Sequence, residues 1–355
     1  MLAQQHKVEN IIYLPLKELN IQDEKIMPLF EELYNHAIIN DATQQYYLEV
    51  VTDELEAQRI RHCIMKGPVV KKLYPSSDMR QSGDLDIFVD DENTEKVREI
   101  MESLDFETEN FNKTNSHDEY KIDQNVIIEI HRSLISNKCE WQSECQKITD
   151  RLVLADGCQY RYDMTKEDYY LYMIGHMAKH MKYTGMGIKM VLDVWVYLNA
   201  YISILDWDKL NGFLDDCKLL EFEKNIKRLC DYWFNGKEAD AIISKLSDYI
   251  VLSGNFGTEE QFLAGEMARN SAGMDNKTVS KLIYYAKIFF FPYKKMCERY
   301  TILKKVPVLL PFFWLHRAFT AFFDKEKATD IKNRYEDVDM EYGKKIIEFK
   351  KNIGL

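Results

Sequence analysis

Apolar side chains recur at three- and four-residue spacing over Asp23 to His36 and over Ala42 to Arg59, as in Leu48, Val51, Leu55 and Ile60. That period places them on one helix face, so the first sixty residues are predicted to be helical. Asp41 or Thr43 is positioned to cap the second helix. The pattern then shortens. Cys63-Ile64-Met65 is an apolar run that predicts a buried strand ending at Lys66-Gly67, and Pro68 is placed to open a helix running to Leu73. Pro75, Ser76, Ser77 and Ser82 make residues 74–82 a loop. From Gly83 to Asp90 the chain alternates and then turns apolar, which predicts a strand beginning at a turn. Val97, Ile100, Met101 and Leu104 share a face and predict a helix over Asn93 to Leu104. Short strands are predicted at Phe106 to Phe111, Glu119 to Ile122 and Val126 to Ser133, the last two joined by a turn near Asp123-Gln124-Asn125. From Thr165 onward helix follows helix, at about 167–182, 187–203, 207–217, 221–234, 236–250, 259–270 and 276–290. Thr165 with Asp168 has the form of a capping box with Asp in place of Glu. The expected class is α+β, with N-terminal helices over 1–60, a small mixed α/β unit over 61–160 and a helical domain over 161–355.

Composition narrows the function. A chain of 355 residues with 46% hydrophobic and 30% charged side chains is expected to fold as a soluble protein of two domains. The net charge of −11 argues against a polymerase or a general RNA binder, because gripping long nucleic acid relies on neutralised phosphates. Seven cysteines without a CxxC pair suit reduced thiols in a cytoplasmic protein. The N-terminus MLAQQHKVEN has no apolar run of the kind that marks a signal peptide. The most apolar stretch, Val306 to Leu315, is shorter than the ~20 residues a membrane span needs and contains two prolines.

The chemistry concentrates around Asp84 and Asp86. Two apart on a strand, they share a face with Cα atoms ~7 Å apart. Two carboxylates at about 4 Å repel by roughly 4 kcal/mol at an effective dielectric of ~20, and a divalent cation reverses that sign. Hard oxygen ligands suit Mg²⁺, which completes its shell with water and substrate phosphates. Glu129 is the candidate third carboxylate, since it interrupts the apolar strand Val126-Ile127-Ile128-Glu129-Ile130-His131, where an unpaired acid is costly. His131 falls on the same face and could orient Glu129 or touch phosphate. A DxD pair alone is more often a solvated pair of acids. The Gly before it, the Lys-Gly strand end upstream and the acid in the later strand raise its weight.

The string CIMKGPVVKKLYPSSDMRQSGDLDIFVD, with IEIHRSL and HMAKHMKYTGMGIKMVLDVWVYL further along, resembles a bacterial family of uncharacterised nucleotidyltransferases. That family lies within the superfamily that has a DNA polymerase β-like palm. The matching positions are Lys66-Gly67, Tyr74-Pro75, Arg80, Gly83-Asp84-x-Asp86, Glu129, His131, His176, His180, Lys189 and Asp193, and the resemblance spans roughly residues 20–320. It implies a palm with a mixed sheet that binds Mg²⁺ (or Mn²⁺) and an NTP, followed by an all-helical domain. Asp84, Asp86 and Glu129 are the implied metal ligands. Gly67 is implied to let the triphosphate approach the backbone, with phosphate contacts from Lys66, Arg80 or Lys189. One departure is Pro68, where the superfamily usually has Ser or Gly, because proline offers a phosphate no N–H. The alternative reading is therefore a weak or inactive nucleotide-binding module that acts through protein interaction.

The remaining features carry plain readings beside functional ones. Arg80 contacts triphosphate, pairs with Asp84, or is a solvated loop residue. His176 and His180 are four apart, and a packed pair outweighs zinc because no third ligand is near in sequence. His180 could also face the nucleotide. Lys189 and Asp193 make either a helical ion pair or a phosphate contact with its orienter. Asn255, within Ser253-Gly254-Asn255-Phe256-Gly257, belongs to a plain turn or a phosphate nest. Residues 287–317 carry Lys287, Lys294, Lys295, Arg299, Lys304, Lys305 and Arg317 among aromatics. The plain reading is an aromatic segment with snorkelling lysines, and the other is peripheral contact with an anionic membrane. The expected partners are an NTP and a small-molecule or glycan acceptor.

Overall fold

The computed structural model describes residues 2–109, 111, 117–123, 126–254, 257–270, 290–293, 296–297, 300–323 and 340–355. Asn255, the helix expected at 276–290 except its last residue, and Lys287, Lys294, Lys295 and Arg299 lie outside them.

Three helices open the chain: α1 (Leu2–His6), α2 (Glu9–Glu18) and α3 (Ile26–Ala57). The two helices expected over 23–59 are one. No Gly or Pro interrupts the sequence beyond Pro28, which sits in the first turn where a missing N–H is tolerated. Asp41 and Thr43 therefore cap nothing. Asp41 is buried and paired with Lys71, and Thr43 Oγ1 donates to the Ile39 carbonyl at 2.8 Å. A Schellman turn ends α3: Arg59 takes a left-handed φ of 58°, Ile60 N donates to Leu55 O at 2.9 Å, and Arg59 N to Glu56 O at 3.1 Å. This turn drops Ile60 into the core and launches β1 (His62–Met65).

The chain continues through α4 (Gly67–Val70), a 3₁₀ turn at Lys71–Leu73, β2 (Leu85–Val89), α5 (Thr94–Ser103), β3 (His117–Ile122), β4 (Val126–His131), α6 (Gln142–Gln146), β5 (Val153–Leu154) and β6 (Arg161–Asp163). The mixed sheet has the order β3-β4-β2-β1-β6-β5. Strand β2 runs antiparallel to β1 and parallel to β4, while β1 is parallel to β6. Two corrections follow. The described residues of 106–111 yield only a bridge between Glu107 and Lys121, and the sheet extends past residue 160. One face of the sheet is apolar. Val51 and Leu55 of α3, Ile87, Ile128 and Ile130 of the strands, and Val97 and Met101 of α5 form its core. Each fully buried aliphatic side chain there contributes roughly 1.5–3 kcal/mol. Strand alternation consequently turns Asp86 and Glu129 to the opposite face.

Helices follow: α7 (Lys166–Tyr183), α8 (Ile188–Tyr201), α9 (Trp207–Asp216), α10 (Leu220–Phe234) and α11 (Ala241–Ser253). Thr165 Oγ1 accepts from Asp168 N at 3.1 Å, but the Asp168 carboxylate turns to Arg151 Nε at 2.9 Å, so only half of the capping box forms. Helix α11 starts five residues later than expected because Asp240 caps it, accepting from Ile242 N and Ile243 N. The chain divides into one compact unit of residues 1–257 with 353–355, and a second of 258–352. In the second unit α12 (Glu259–Asn270) contacts α14 (Met340–Asn352), and α13 (Leu310–Phe323) packs Phe313 and Trp314 onto Met296, Cys297 and Leu303. Phe312, Leu315 and Phe319, spaced along one face of α13, are exposed, as is Val308 in the turn before it. Among the described residues, no helix is long and apolar enough to cross a membrane.

Candidate active site

The parallel register of β2 and β4 pairs Asp86 with Glu129 and Phe88 with His131. Asp84 immediately precedes β2 on the side of Asp86. One carboxylate oxygen from each of Asp84, Asp86 and Glu129 lies within 4.8 Å of the others. The three acids therefore converge although Glu129 is distant in sequence. A set of carboxylate oxygens of different burial, with Asp84 and Glu129 partly open, fits a hard divalent ion that keeps room for water and phosphate.

Two side chains meet this cluster from the protein side. Lys66 Nζ bonds to Asp86 Oδ1, and His131 Nε2 lies 2.7 Å from that same oxygen and 3.0 Å from Glu129 Oε2. Burial disfavours the Asp86 anion, but Lys66 and His131 outweigh it and hold the carboxyl well below its usual range. Burial likewise opposes ionisation of Glu129, and the His131 hydrogen bond and Lys66 reverse this. Asp84 moves the other way, pushed up by burial and by Asp86. Burial works against charge on Lys66 and His131 too, but the surrounding carboxylates raise both.

Lys66 adopts φ 51° and ψ −128°, a conformation that disfavours a side chain. Tyr169 of α7, absent from the sequence reading, donates to the Lys66 carbonyl at 2.7 Å and braces that peptide. Gly67 is buried, and a Cβ there would collide with Ser82 Oγ and Arg80 Nη1, so its lack of a side chain admits this loop. Pro68 sits in the first turn of α4 and is buried. Gly83 is exposed at the entry to β2.

Arg80 is directed away from the acids expected to hold metal. Its Nη2 lies 2.8 Å from Asp193 Oδ2, and its Nη1 donates to Gln81 O at 3.0 Å. Tyr74 OH donates to Asp193 Oδ1 at 2.8 Å. Asp193 thus anchors the 74–82 loop to α8. Its carboxylate is occupied by Arg80 and Tyr74, whereas Lys189 Nζ donates to Gln81 O at 3.1 Å. Of the readings open for these residues, the Arg80–Asp84 pairing and the Lys189–Asp193 ion pair give way to this arrangement. His176 and His180 face each other, Nε2 to Nε2 at 3.1 Å. Burial, followed by neighbouring positive charge, drives His180 down to about 3, and burial and His180 push His176 the same way. Two further groups escaped notice in the sequence. Lys179 lies beside Lys66 in the field of the acids, depressed by burial and by that neighbour. His117 sits opposite His131 on β3, its Nε2 3.6 Å from Glu129 Oε1. Single polar residues on an amphipathic helix or an alternating strand carry no signal of such convergence.

Lys189 yields a pH test. Burial first, and Arg80 second, push its ammonium down to about 7, with Asp193 partly opposing. Unfolded, a lysine titrates near ~10.4. Between these values the unfolded chain binds a proton that the folded chain does not, so stability rises with pH above 7, by at most ~1.4 kcal/mol per unit. Lys189→Met is expected to remove this contribution. Urea unfolding of both proteins at about pH 7 and about pH 9.5 measures it, and equal slopes would refute the burial of a depressed amine.

A family model described as "Uncharacterised nucleotidyltransferase" matches residues 1–235, more than half of the 355-residue chain. Comparison with curated proteins and with solved structures gives no match.

Proposed function

The chain belongs to that nucleotidyltransferase family, and on this premise we propose that it transfers a nucleoside monophosphate from an NTP to an acceptor hydroxyl, releasing pyrophosphate. The observation that supports the reading most is the convergence of Asp84, Asp86 and Glu129 on one face of adjacent parallel strands. In this proposal the three carboxylates hold Mg²⁺ or Mn²⁺. Two such cations would neutralise the phosphates and stabilise both the attacking and the leaving oxygen, Glu129 completing the second site. The acceptor oxygen forms a bond to the α-phosphorus as the bond to the β-phosphate oxygen breaks. Glu129 takes the acceptor proton, and pyrophosphate carries away the electron pair. Lys66, paired with Asp86, is placed to turn its ammonium towards the phosphates, and a bound triphosphate would favour protonation of Lys179 and Lys189, whose ammonium forms burial disfavours. His131 orients Asp86 and Glu129. Arg80, Asp193 and Gly83 shape the loop that delivers Asp84, and His180 lines the helical side. The acceptor is a small molecule or glycan in a protein of the cytoplasm.

Pyrophosphate release with each of the four NTPs, a metabolite pool, and Mg²⁺ or Mn²⁺ tests the proposal. Absence of metal-dependent release with every combination, together with no nucleotide-induced thermal shift, would reject it. A second reading is favoured by Pro68 and by the side chains of Arg80 and Ser82 lying over Gly67: a nucleotide-binding module that turns over poorly and acts through protein interaction. Calorimetry with Mg·NTP beside the pyrophosphate assay separates the two, because the module binds without release. The exposed Val308, Phe312, Leu315 and Phe319, with Lys304 and Lys305 nearby in sequence, support peripheral membrane contact. The protein is then expected to co-sediment with anionic but not neutral vesicles, and Phe312→Ser/Phe319→Ser to reduce sedimentation severalfold. Equal sedimentation of the two proteins would remove this contact.

A further inference from the structure

Glu129 belongs to two sets of ligand atoms. Besides the set with Asp84 and Asp86, it forms a second with His117 and His131, whose ligand atoms again lie within 4.8 Å of one another. The strand pattern produces this second set. Glu129 and His131 are two apart on β4, and His117 is paired with His131 across the antiparallel β3–β4 register. All three therefore project from one face of the sheet. The imidazole rings stand 5.1 Å apart between centroids. His117 Nε2 is 3.6 Å from Glu129 Oε1, and His131 Nε2 is 3.0 Å from Glu129 Oε2. A tetrahedral ion with bonds of ~2.0–2.1 Å spaces its ligand atoms by roughly 3.3 Å. The two imidazoles approach different oxygens of Glu129, and one ligand atom from each of the three residues lies within 4.8 Å of the others, so a small rotation of the carboxylate brings them to that spacing.

We propose that His117, Glu129 and His131 bind a late first-row divalent cation, zinc in preference to magnesium, next to the carboxylate set. Two imidazoles and one carboxylate match zinc, whereas magnesium favours oxygen alone. His131 Nε2, at present between Asp86 and Glu129, exchanges its proton or hydrogen bond for the metal. Asp86 Oδ1, 2.7 Å from that nitrogen, gives up this hydrogen bond when the metal binds and keeps its ion pair with Lys66. The inference rests on the proposed function only through the shared Glu129, and it requires no nucleotide transfer. Because one carboxylate serves both sets, zinc on the histidines withdraws a ligand from the Asp84–Asp86 set. Zinc is accordingly an inhibitor of the magnesium-dependent reaction.

Cobalt(II) without nucleotide is the probe, since nitrogen-ligated four-coordinate cobalt absorbs visible light far more strongly than the octahedral all-oxygen ion. The wild-type protein is expected to develop this strong absorption at one equivalent, to lose it on adding one equivalent of zinc, and to retain it in excess magnesium. His117→Gln should weaken cobalt binding by roughly tenfold or more, with circular dichroism confirming the fold. Asp84→Asn should leave the absorption in place. A weak octahedral spectrum in the wild type overturns the proposal without any variant. So does an unchanged spectrum and affinity in His117→Gln, or loss of binding in Asp84→Asn, which would assign the ion to the carboxylates. None of these outcomes depends on pyrophosphate release, so failure here and failure of the nucleotidyltransferase reading are distinguishable.

Discussion

Replacing Asp86 with asparagine is expected to lower metal-dependent nucleotide transfer by roughly 10³-fold, about 4 kcal/mol of transition-state stabilisation, while leaving the fold in place. Asp86 is central because three groups meet on it. It is 1% exposed, it is paired with Glu129 across the parallel strands, and it holds Lys66 and His131. Asparagine preserves its shape and its place in β2 but removes the charge that binds a cation. Lys66 retains the fields of Asp84 and Glu129, so its burial is still compensated and folding should survive. Pyrophosphate release together with far-ultraviolet circular dichroism measures both halves of the expectation. Full activity in Asp86→Asn would place the chemistry elsewhere, whatever family the chain belongs to. Loss of the fold would instead show that Asp86 serves mainly as the counter-ion of Lys66. Lys66→Met then provides the independent check, because a structural pair of that kind is removed from either side at similar cost.

Much of this arrangement could be read in the order of residues, and the reason is local. The strand beginning after Gly83 announces itself through its alternation and its apolar end, and the acid at position 129 stands out because its neighbours are Ile128 and Ile130. Such signals need only a few consecutive positions. What escaped the reading depends on pairing between distant segments. Strand β6, Arg161–Asp163, has no apolar alternation and forms because β1 offers it a parallel edge. The Arg80–Asp193 pair spans more than a hundred residues, and spacing on α8 pointed to Lys189 instead, which bonds to the Gln81 carbonyl. His117 is unremarkable in sequence and acquires meaning only from the register that sets it opposite His131. The long helix α3 is predicted as two helices from its separate apolar runs, whereas the absence of a breaker between them decides its continuity.

Replacing Asp118 with alanine is expected to cost ~3–5 kcal/mol of stability, a large share of the 5–15 kcal/mol typical of a folded domain. Asp118 on β3 is fully buried, and Arg132, just beyond β4, forks its carboxylate with Nη1 at 2.5 Å and Nη2 at 3.3 Å. Alanine leaves a guanidinium that is mostly buried without this carboxylate. Asp91 lies 3.7 Å away, but it is solvent-exposed and offsets little. Arg132→Met in the same chain should recover most of the loss, because an apolar group of similar volume leaves no charge to solvate. The pair also bears on the site. It ties β3 to the end of β4, and that register sets His117 against His131 and Glu119 against Glu129. A slip of one residue would turn His117 and Glu119 of the edge strand β3 onto the apolar face, because β4 stays in register with β2. Urea unfolding of Asp118→Ala, Arg132→Met and the double variant separates these effects. A loss below about 1 kcal/mol in Asp118→Ala would show that the sheet holds its register without the pair. If the double variant regains stability, its nucleotide-dependent thermal shift reads whether the recovered sheet still brings Glu129 to Asp86.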